Sequence, residues 1–218
     1  MPPRTPRPQP TDLLAAGAQA LGLRLAPAHL HAFSIYLDEL ARWSTRMNLT
    51  ALRTPAEVIR EGFLDSLSCL PLLGQARSVI DLGSGAGFPA LPLAVLRPAV
   101  MFTLIEAIRK KATFLRHIAR ILELPHVRVL QTRAETLAGN ATHQAAYDLA
   151  MARAIAPLPE QARLVRPFLG EEGVFVAQVT AGPPVDNALR ALTESGWTVV
   201  RAIPGLDGHR SILALRPR

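Results

Sequence analysis

The chain of 218 residues holds a single cysteine, Cys69. One thiol cannot close an intramolecular disulfide, and no cluster of Cys and His offers the ligands of a zinc site, so no metal is expected. Long apolar runs are missing too. Although 49% of the residues are hydrophobic, nothing approaches the ~20 consecutive apolar residues that cross a bilayer. The opening "MPPRTPRPQP" lacks the apolar stretch of a secretory signal. It reads as a disordered basic tail over residues 1–10, and a cytoplasmic protein with no membrane partner is expected. Acids are in deficit, 17 Asp and Glu against 24 Lys and Arg, for a net charge of +7. Positive excess favours polyanions, because each neutralised phosphate releases counterions. An Arg-rich solvated surface explains the same balance, so charge alone leaves nucleic-acid binding open.

What is present falls into two parts. Residues 11–75 read as helical. Thr11-Asp12 can cap a helix running to about Leu23, and after Pro27 the residues Leu30, Phe33, Leu37, Leu40 and Trp43 fall at three- and four-residue steps, an amphipathic stripe. In "TPAE", Thr54 fits an N-cap, Pro55 the first helical position and Glu57 the capping-box acid. The helix that follows is expected to turn Val58, Phe63, Leu64 and Leu67 inward and to stop near Pro71. From residue 76 to 218 β-rich runs alternate with helical ones: "SVIDLG", "VMFTLIEA", "VRVLQTRAE", "YDLAMARA" and "GVFVAQV", then "WTVVRAI" and "SILALRP". This alternation predicts an α/β fold with a mostly parallel sheet covered on both faces. The last two runs are expected to pair antiparallel at the sheet edge.

The first strand runs into "VIDLGSGAGFPALPLA". In open parallel sheets ligands bind at the carboxyl ends of the strands, so Gly83, Gly85 and Gly87 mark a site. The dinucleotide pattern GxGxxG needs a third glycine where this chain has Phe88. Pro89 and Pro92 leave the following helix start poor in amide donors, and Asp81 would repel a pyrophosphate. The turn therefore suits a ligand with a positive end and no phosphates, and S-adenosylmethionine fits. Glu106, at the end of the second strand and 19 residues beyond Gly87, can accept hydrogen bonds from ribose hydroxyls. Ala134 leaves room for a flat base, and Glu135 or its backbone can read an adenine edge. The expected cofactor set is Asp81, Gly83, Ser84, Gly85, Gly87, Phe88, Glu106, Ala134, Glu135 and Arg153.

These motifs, with "MNLTALRTPAEV", "FLDSL", "KKATFLR", "RAE" and "ARAIAPL", resemble the bacterial ribosomal small-subunit methyltransferase G family, also called glucose-inhibited division protein B, from about Tyr36 to Arg216. The resemblance implies a class I S-adenosylmethionine-dependent methyltransferase, Rossmann-like, with a seven-stranded mostly parallel sheet over residues 76–218 and an N-terminal helical extension. It implies methylation of N7 of guanine 527 in the 530 loop of 16S ribosomal RNA. The partner would be that RNA or the small ribosomal subunit, and a monomer is expected. The family's cofactor contacts fall on Gly83, Phe88, Ala134, Glu135 and Arg153. Three places depart from its pattern. Glu61-Gly62 stands where Arg-His is frequent, Gln178 or a neighbour where a Lys is frequent, and Arg210-Ser211-Ile212 where Arg-His-Leu is usual.

Guanine N7 carries a free lone pair, so the reaction needs alignment and exclusion of water rather than a general base. In keeping with this, the Asn/Asp-Pro-Pro-aromatic motif of exocyclic amine methylation is absent. Cys69, in the helical part, is read as a core thiol rather than a nucleophile. Arg153 closes the fourth strand and is the candidate catalytic residue, positioning O6, a phosphate or the cofactor carboxylate; the competing reading is a structural salt bridge. Asn48, Asp65, Ser66 and Arg210 are RNA-binding candidates. Lys110, Lys111, Arg116 and Arg120 lie along one helix, and Arg42, Arg46 and Arg53 flank "NLTA"; both groups suit phosphates or solvent. A small-molecule methyltransferase, a non-catalytic RNA-binding module with a vestigial pocket, and an NAD-dependent oxidoreductase are the alternatives, the last least favoured.

Overall fold

A computed structural model describes residues 9–180, 182–206 and 210–218. Residues 1–8 of the expected tail lie outside the described residues. Pro10 does not belong to a tail, because it opens the first helix.

The helical part begins with α1 (Pro10–Ala20) and α2 (Pro27–Ser44). Asp12 does not precede α1 but sits in its first turn, where Oδ2 accepts from the Gln9 amide at 3.1 Å. The expected stripe of α2 is the buried face: Phe33, Leu37 and Leu40 are inside. Thr54 caps α3 (Pro55–Glu57) as predicted. The Glu57 amide donates to Thr54 Oγ1 at 3.2 Å, and Glu57 Oε2 accepts from the Thr54 amide at 3.2 Å. The helix then widens into a π-helix over Val58–Leu64 before α4 (Asp65–Leu67) and the short α5 (Leu70–Leu73). This corrects the single α-helix expected here. Adjacent Val58 and Ile59, and then the run Gly62–Leu70, are all buried, a broader buried surface than a 3.6-residue period gives. Pro71 opens a new turn rather than ending the old one.

The rest is β1 (Ser78–Leu82), α6 (Ala90–Leu96), β2 (Met101–Ile105), α7 (Arg109–Ile121), β3 (Val127–Leu130), α8 (Ala134–Ala138), β4 (Tyr147–Arg153), α9 (Leu158–Val165), β5 (Leu169–Thr180), α10 (Pro183–Glu194), β6 (Trp197–Pro204) and β7 (Arg210–Pro217). One seven-stranded sheet runs β3-β2-β1-β4-β5-β7-β6. Only β7 opposes its neighbours. The last two strands pair antiparallel at the sheet edge, as expected, with β7 between β5 and β6 and β6 outermost.

Strand order reverses between β1 and β4, which makes the crevice over their carboxyl ends the natural site. Register sets the site's level. Leu82 pairs with Ile105 and with Ala152, so Gly83, Glu106 and Arg153 leave the sheet side by side. Arg153 pairs with Gln178, and Gln178 with Ile212. Side chains alternate across the sheet. Val79, Leu104, Leu149, Met151 and Val176 join one core with the N-terminal helices, while Ile80, Leu82, Ala150, Phe175 and Ala177 join a second core with α9 and α10.

Candidate functional site

The glycine turn is held by the strand beside it. The Gly83 and Ser84 amides both donate to the Ile105 carbonyl, at 2.9 and 3.0 Å. The Glu106 carboxylate then ties the turn down from the other side. Its Oε2 accepts from the Gly85 amide at 2.9 Å and its Oε1 from the Ile108 amide at 2.8 Å. Each carboxylate oxygen keeps a further lone pair, so the acid can hold the loop and still accept a hydroxyl. Glycine is required at Gly83 on two grounds. Its φ of +69° is left-handed, and a Cβ there would stand 2.5 Å from Cγ2 of Ile155. Ile155 reaches that point because Ala154, directly after Arg153, itself takes φ +54° and turns the chain back over the crevice.

Under the turn lies Asp81, 1% exposed. Neither carboxylate oxygen has a hydrogen-bond partner among the described residues. Burial raises its pKa to about 7, and the nearby Glu106 charge pushes the same way; Ser84 and Arg153 offset part of the shift. A buried carboxylate without a partner is costly, and a cationic group arriving over the turn would relieve that cost. Ser84, also buried, donates to the Asp81 carbonyl at 3.1 Å. Beyond Gly87 the Phe88 ring is stacked near Tyr36 and edge-on to Phe63. The Tyr36 hydroxyl donates to the Ala86 carbonyl, so α2 grips the turn directly.

A second cluster lies beside the first. Among the described residues Asp65, 3% exposed, accepts at Oδ2 from Gln178 Nε2 at 2.9 Å and Arg210 Nη1 at 3.4 Å, and Arg153 Nη1 stands 3.3 Å from the same oxygen as an ion pair without a hydrogen bond. Gln178 Nε2 also donates to the Asp65 carbonyl at 3.1 Å. Arg153 Nη2 donates to the Glu61 carbonyl at 2.9 Å, and Arg210 Nη2 pairs with Glu61 Oε2 at 2.9 Å. Burial lowers the Arg153 pKa, with Asp65 opposing the shift. Arg60, Glu61, Asp65, Leu206 and Arg210 line a cleft of about 390 Å³ here. The helical extension thus clasps the ends of β4, β5 and β7 through one carboxylate.

A family model described as rRNA small subunit methyltransferase G matches residues 29–182. The curated relatives agree. A ribosomal RNA small subunit methyltransferase G of Deinococcus deserti is 45% identical over 84% of this chain and 75% of its own length. One from Roseiflexus sp. is 44% identical over 90% of this chain and 87% of its own. The chain belongs to the rRNA small subunit methyltransferase G family. Solved structures show the fold. A ribosomal protein L11 methylase from Lactobacillus delbrueckii subsp. bulgaricus (TM-score 0.58, 15% identity) covers 72% of this chain and 79% of that one. A SAM-dependent methyltransferase from Aquifex aeolicus (TM-score 0.58, 15% identity) covers 82% and 97%.

Within this chain the places noted as departures lie around one cluster. Glu61 and Gln178 engage it directly, and Ser211 follows Arg210, which pairs with both Glu61 and Asp65. Gly62 belongs to the same adjustment, because a Cβ on it would stand 2.7 Å from the Phe88 ring. The RNA-binding candidates divide. Asn48 is exposed and Arg210 partly so, but Ser66 is wholly buried with its hydroxyl donating to the Gly62 carbonyl. Asp65 is likewise internal at 3% exposed, and it lines the cleft beside Arg210. The salt-bridge reading of Arg153 describes the observed geometry. Ala134 and Glu135 open α8 beyond β3, Ala134 half-buried and Glu135 exposed. Cys69 is buried and its thiol pKa strongly raised by burial, as suits a core residue. The sequence reading missed Tyr36 and Ile155, and it marked Glu61 as a departure without its pairing to Arg210. Tyr36 carried a signal: a hydroxyl on a buried stripe needs a partner.

Proposed function

We propose that this protein transfers the methyl group of S-adenosylmethionine to N7 of a guanine in 16S ribosomal RNA, acting as a monomer in the cytoplasm on RNA of the small subunit. Membership of the methyltransferase G family carries the reading. The local chemistry supports it: a carboxylate at the ribose position already tied to the glycine turn, and an unpartnered buried Asp81 suited to a cationic ligand. S-adenosylmethionine, when bound, supplies an electrophilic methyl on a positive sulfur.

The chain's own residues bind, orient and exclude water. Gly83, Gly85 and Gly87 bring backbone close to the methionine end, Asp81 favours its positive charge, and Glu106 accepts from the ribose. Ala134 and Glu135 flank the base. Arg153, level with Gly83 and fixed by Asp65 and Glu61, is assigned to the side of the site that receives the target base. Guanine N7 and O6 are both acceptors. N7 must keep its lone pair for attack, so Arg153 is assigned to O6, a phosphate or the cofactor carboxylate. No proton is removed from N7, and no side chain is assigned as a base.

The experiment is methylation of small subunits from a strain lacking the modification, using labelled S-adenosylmethionine. Label at guanine N7 of 16S RNA is expected. Label elsewhere, or none, overturns the proposal.

A further inference from the structure

We infer that the cleft between the end of α2 and the start of α7 seats a single-stranded stretch of RNA next to the target nucleotide. This rests on the proposed action on RNA and adds where the strand lies. The cleft, about 390 Å³, is lined by Trp43, Arg46, Met47, Arg109, Lys110 and Thr113. Three cations and no acid line it. Arg46, Arg109 and Lys110 are exposed and make no ion pair among the described residues. Charge of this kind is poorly explained by stability, since no ion pair among the described residues neutralises it, and it complements a phosphate backbone.

The floor is apolar and rigid. The Trp43 ring lies edge-on to Phe114 at 5.5 Å and tilted against His117 at 5.4 Å, and its Nε1 donates to Glu39 Oε2 at 3.3 Å. Glu39 is fixed in turn by His117 and Arg42, at 2.8 and 2.7 Å. A held, half-exposed indole beside Met47 is a stacking platform for a base, and stacking between cations that take phosphates is how unpaired strands are bound. A protein partner would be met by acidic groups as well as cations; the lining holds the cations, the platform and one hydroxyl, Thr113, which is occupied with the Arg109 carbonyl at 2.9 Å.

The cleft also lies beside the cofactor turn. Arg109 follows Glu106 by three residues, and the intervening Ile108, 53% exposed, has its amide on Glu106 Oε1. A strand in the cleft therefore continues toward the carboxyl ends of β1 and β4. Asn48 is exposed in the loop that follows α2.

The test compares the wild type with R46A/K110A and with Trp43→Leu, binding a 16S RNA fragment that contains the target loop over a range of salt. Neither cation contributes a hydrogen bond to the fold, so the double variant should keep its melting temperature and its S-adenosylmethionine affinity. Its RNA affinity should fall tenfold or more, and its slope of log affinity against log salt should flatten by about two. Trp43→Leu should lose affinity with the slope unchanged. Unaltered affinity and slope in the double variant would overturn the inference. So would a double variant that binds naked RNA normally yet fails on assembled subunits, because the cleft would then meet a ribosomal protein. A wild type that shows these RNA signatures but transfers no methyl would sink the proposed function and leave the cleft assignment standing.

Discussion

At the scale of single residues the site is governed by two buried carboxylates in opposite circumstances. Among the described residues Asp65 accepts from Gln178 and Arg210 and pairs with Arg153, whereas Asp81 has no hydrogen-bond partner. The Asp81 pKa stands at about 7 against an ordinary 3.8. The folded state therefore keeps a proton that the unfolded chain gives up near pH 4. The stabilisation is complete below that pH and is lost as pH rises through 7, by on the order of 4 kcal/mol at most. Urea unfolding at pH 4.5 and 7.5 should show the wild type losing stability relative to Asp81→Asn; parallel profiles would refute this. A cationic ligand reverses the preference, so wild-type S-adenosylmethionine affinity should rise with pH from 5.5 to 7.5 and stay flat in Asp81→Asn, read by calorimetry. Arg153 is tied to both Asp65 and Glu61. Its loss still leaves Asp65 with Gln178 and Arg210 among the described residues, so Arg153→Ala should cost about 1–3 kcal/mol as well as most of the methylation rate. An unchanged rate in the folded variant would remove Arg153 from the site.

At the scale of elements, the glycine turn was legible because its residues report backbone geometry directly. Positive φ at Gly83, Gly85 and Gly87, and the acid at Glu106, follow from local pattern and spacing. The capping box at Thr54 and Glu57 was legible for the same reason. What followed it was not. The π-helix of Val58–Leu64 has no local signature, since it is chosen by what packs on both of its sides. Nor did sequence show that Glu61, Asp65, Gln178 and Arg210 meet. They lie on three separate stretches, Glu61 and Asp65 on one helical segment, joined only by the sheet register and by the insertion of β7 beside β5. The π-helix also accounts for Gly62. It presents that residue flat against Phe88, and a methyl group there must move the ring. Gly62→Ala should destabilise the fold by about 1–3 kcal/mol and weaken S-adenosylmethionine binding, because Phe88 closes the glycine turn. Unaltered cofactor affinity by calorimetry would show that Phe88 moves freely without disturbing the turn.

At the scale of the whole molecule, the division into a helical extension and a sheet domain is a division of sequence only. One continuous core runs from Leu14 and Phe33 through Phe63 and Leu67 to Leu104, Met151 and Ile212, and thus spans both parts. Polar ties cross the same boundary: Tyr36 to Ala86, His117 to Glu39 at 2.8 Å, and Gln178 and Arg210 to Asp65. Two parts that share a core cannot unfold independently, since losing either exposes the apolar face of the other. The full chain should therefore melt in a single calorimetric transition, its calorimetric and van't Hoff enthalpies equal. A chain beginning at residue 76 would leave Val79, Phe102, Leu104, Met151 and Val176 without their helical cover. It would also lose Asp65, which holds the ends of β4, β5 and β7 together. Such a chain should keep far-UV helical and strand signal but lose near-UV ellipticity, bind a hydrophobic dye and fail to bind S-adenosylmethionine, although the expected cofactor residues Asp81 to Arg153 are all still in it. Two resolved transitions in the full chain, or cofactor binding by the shortened one, would show that the extension is an attachment rather than half of the site's foundation.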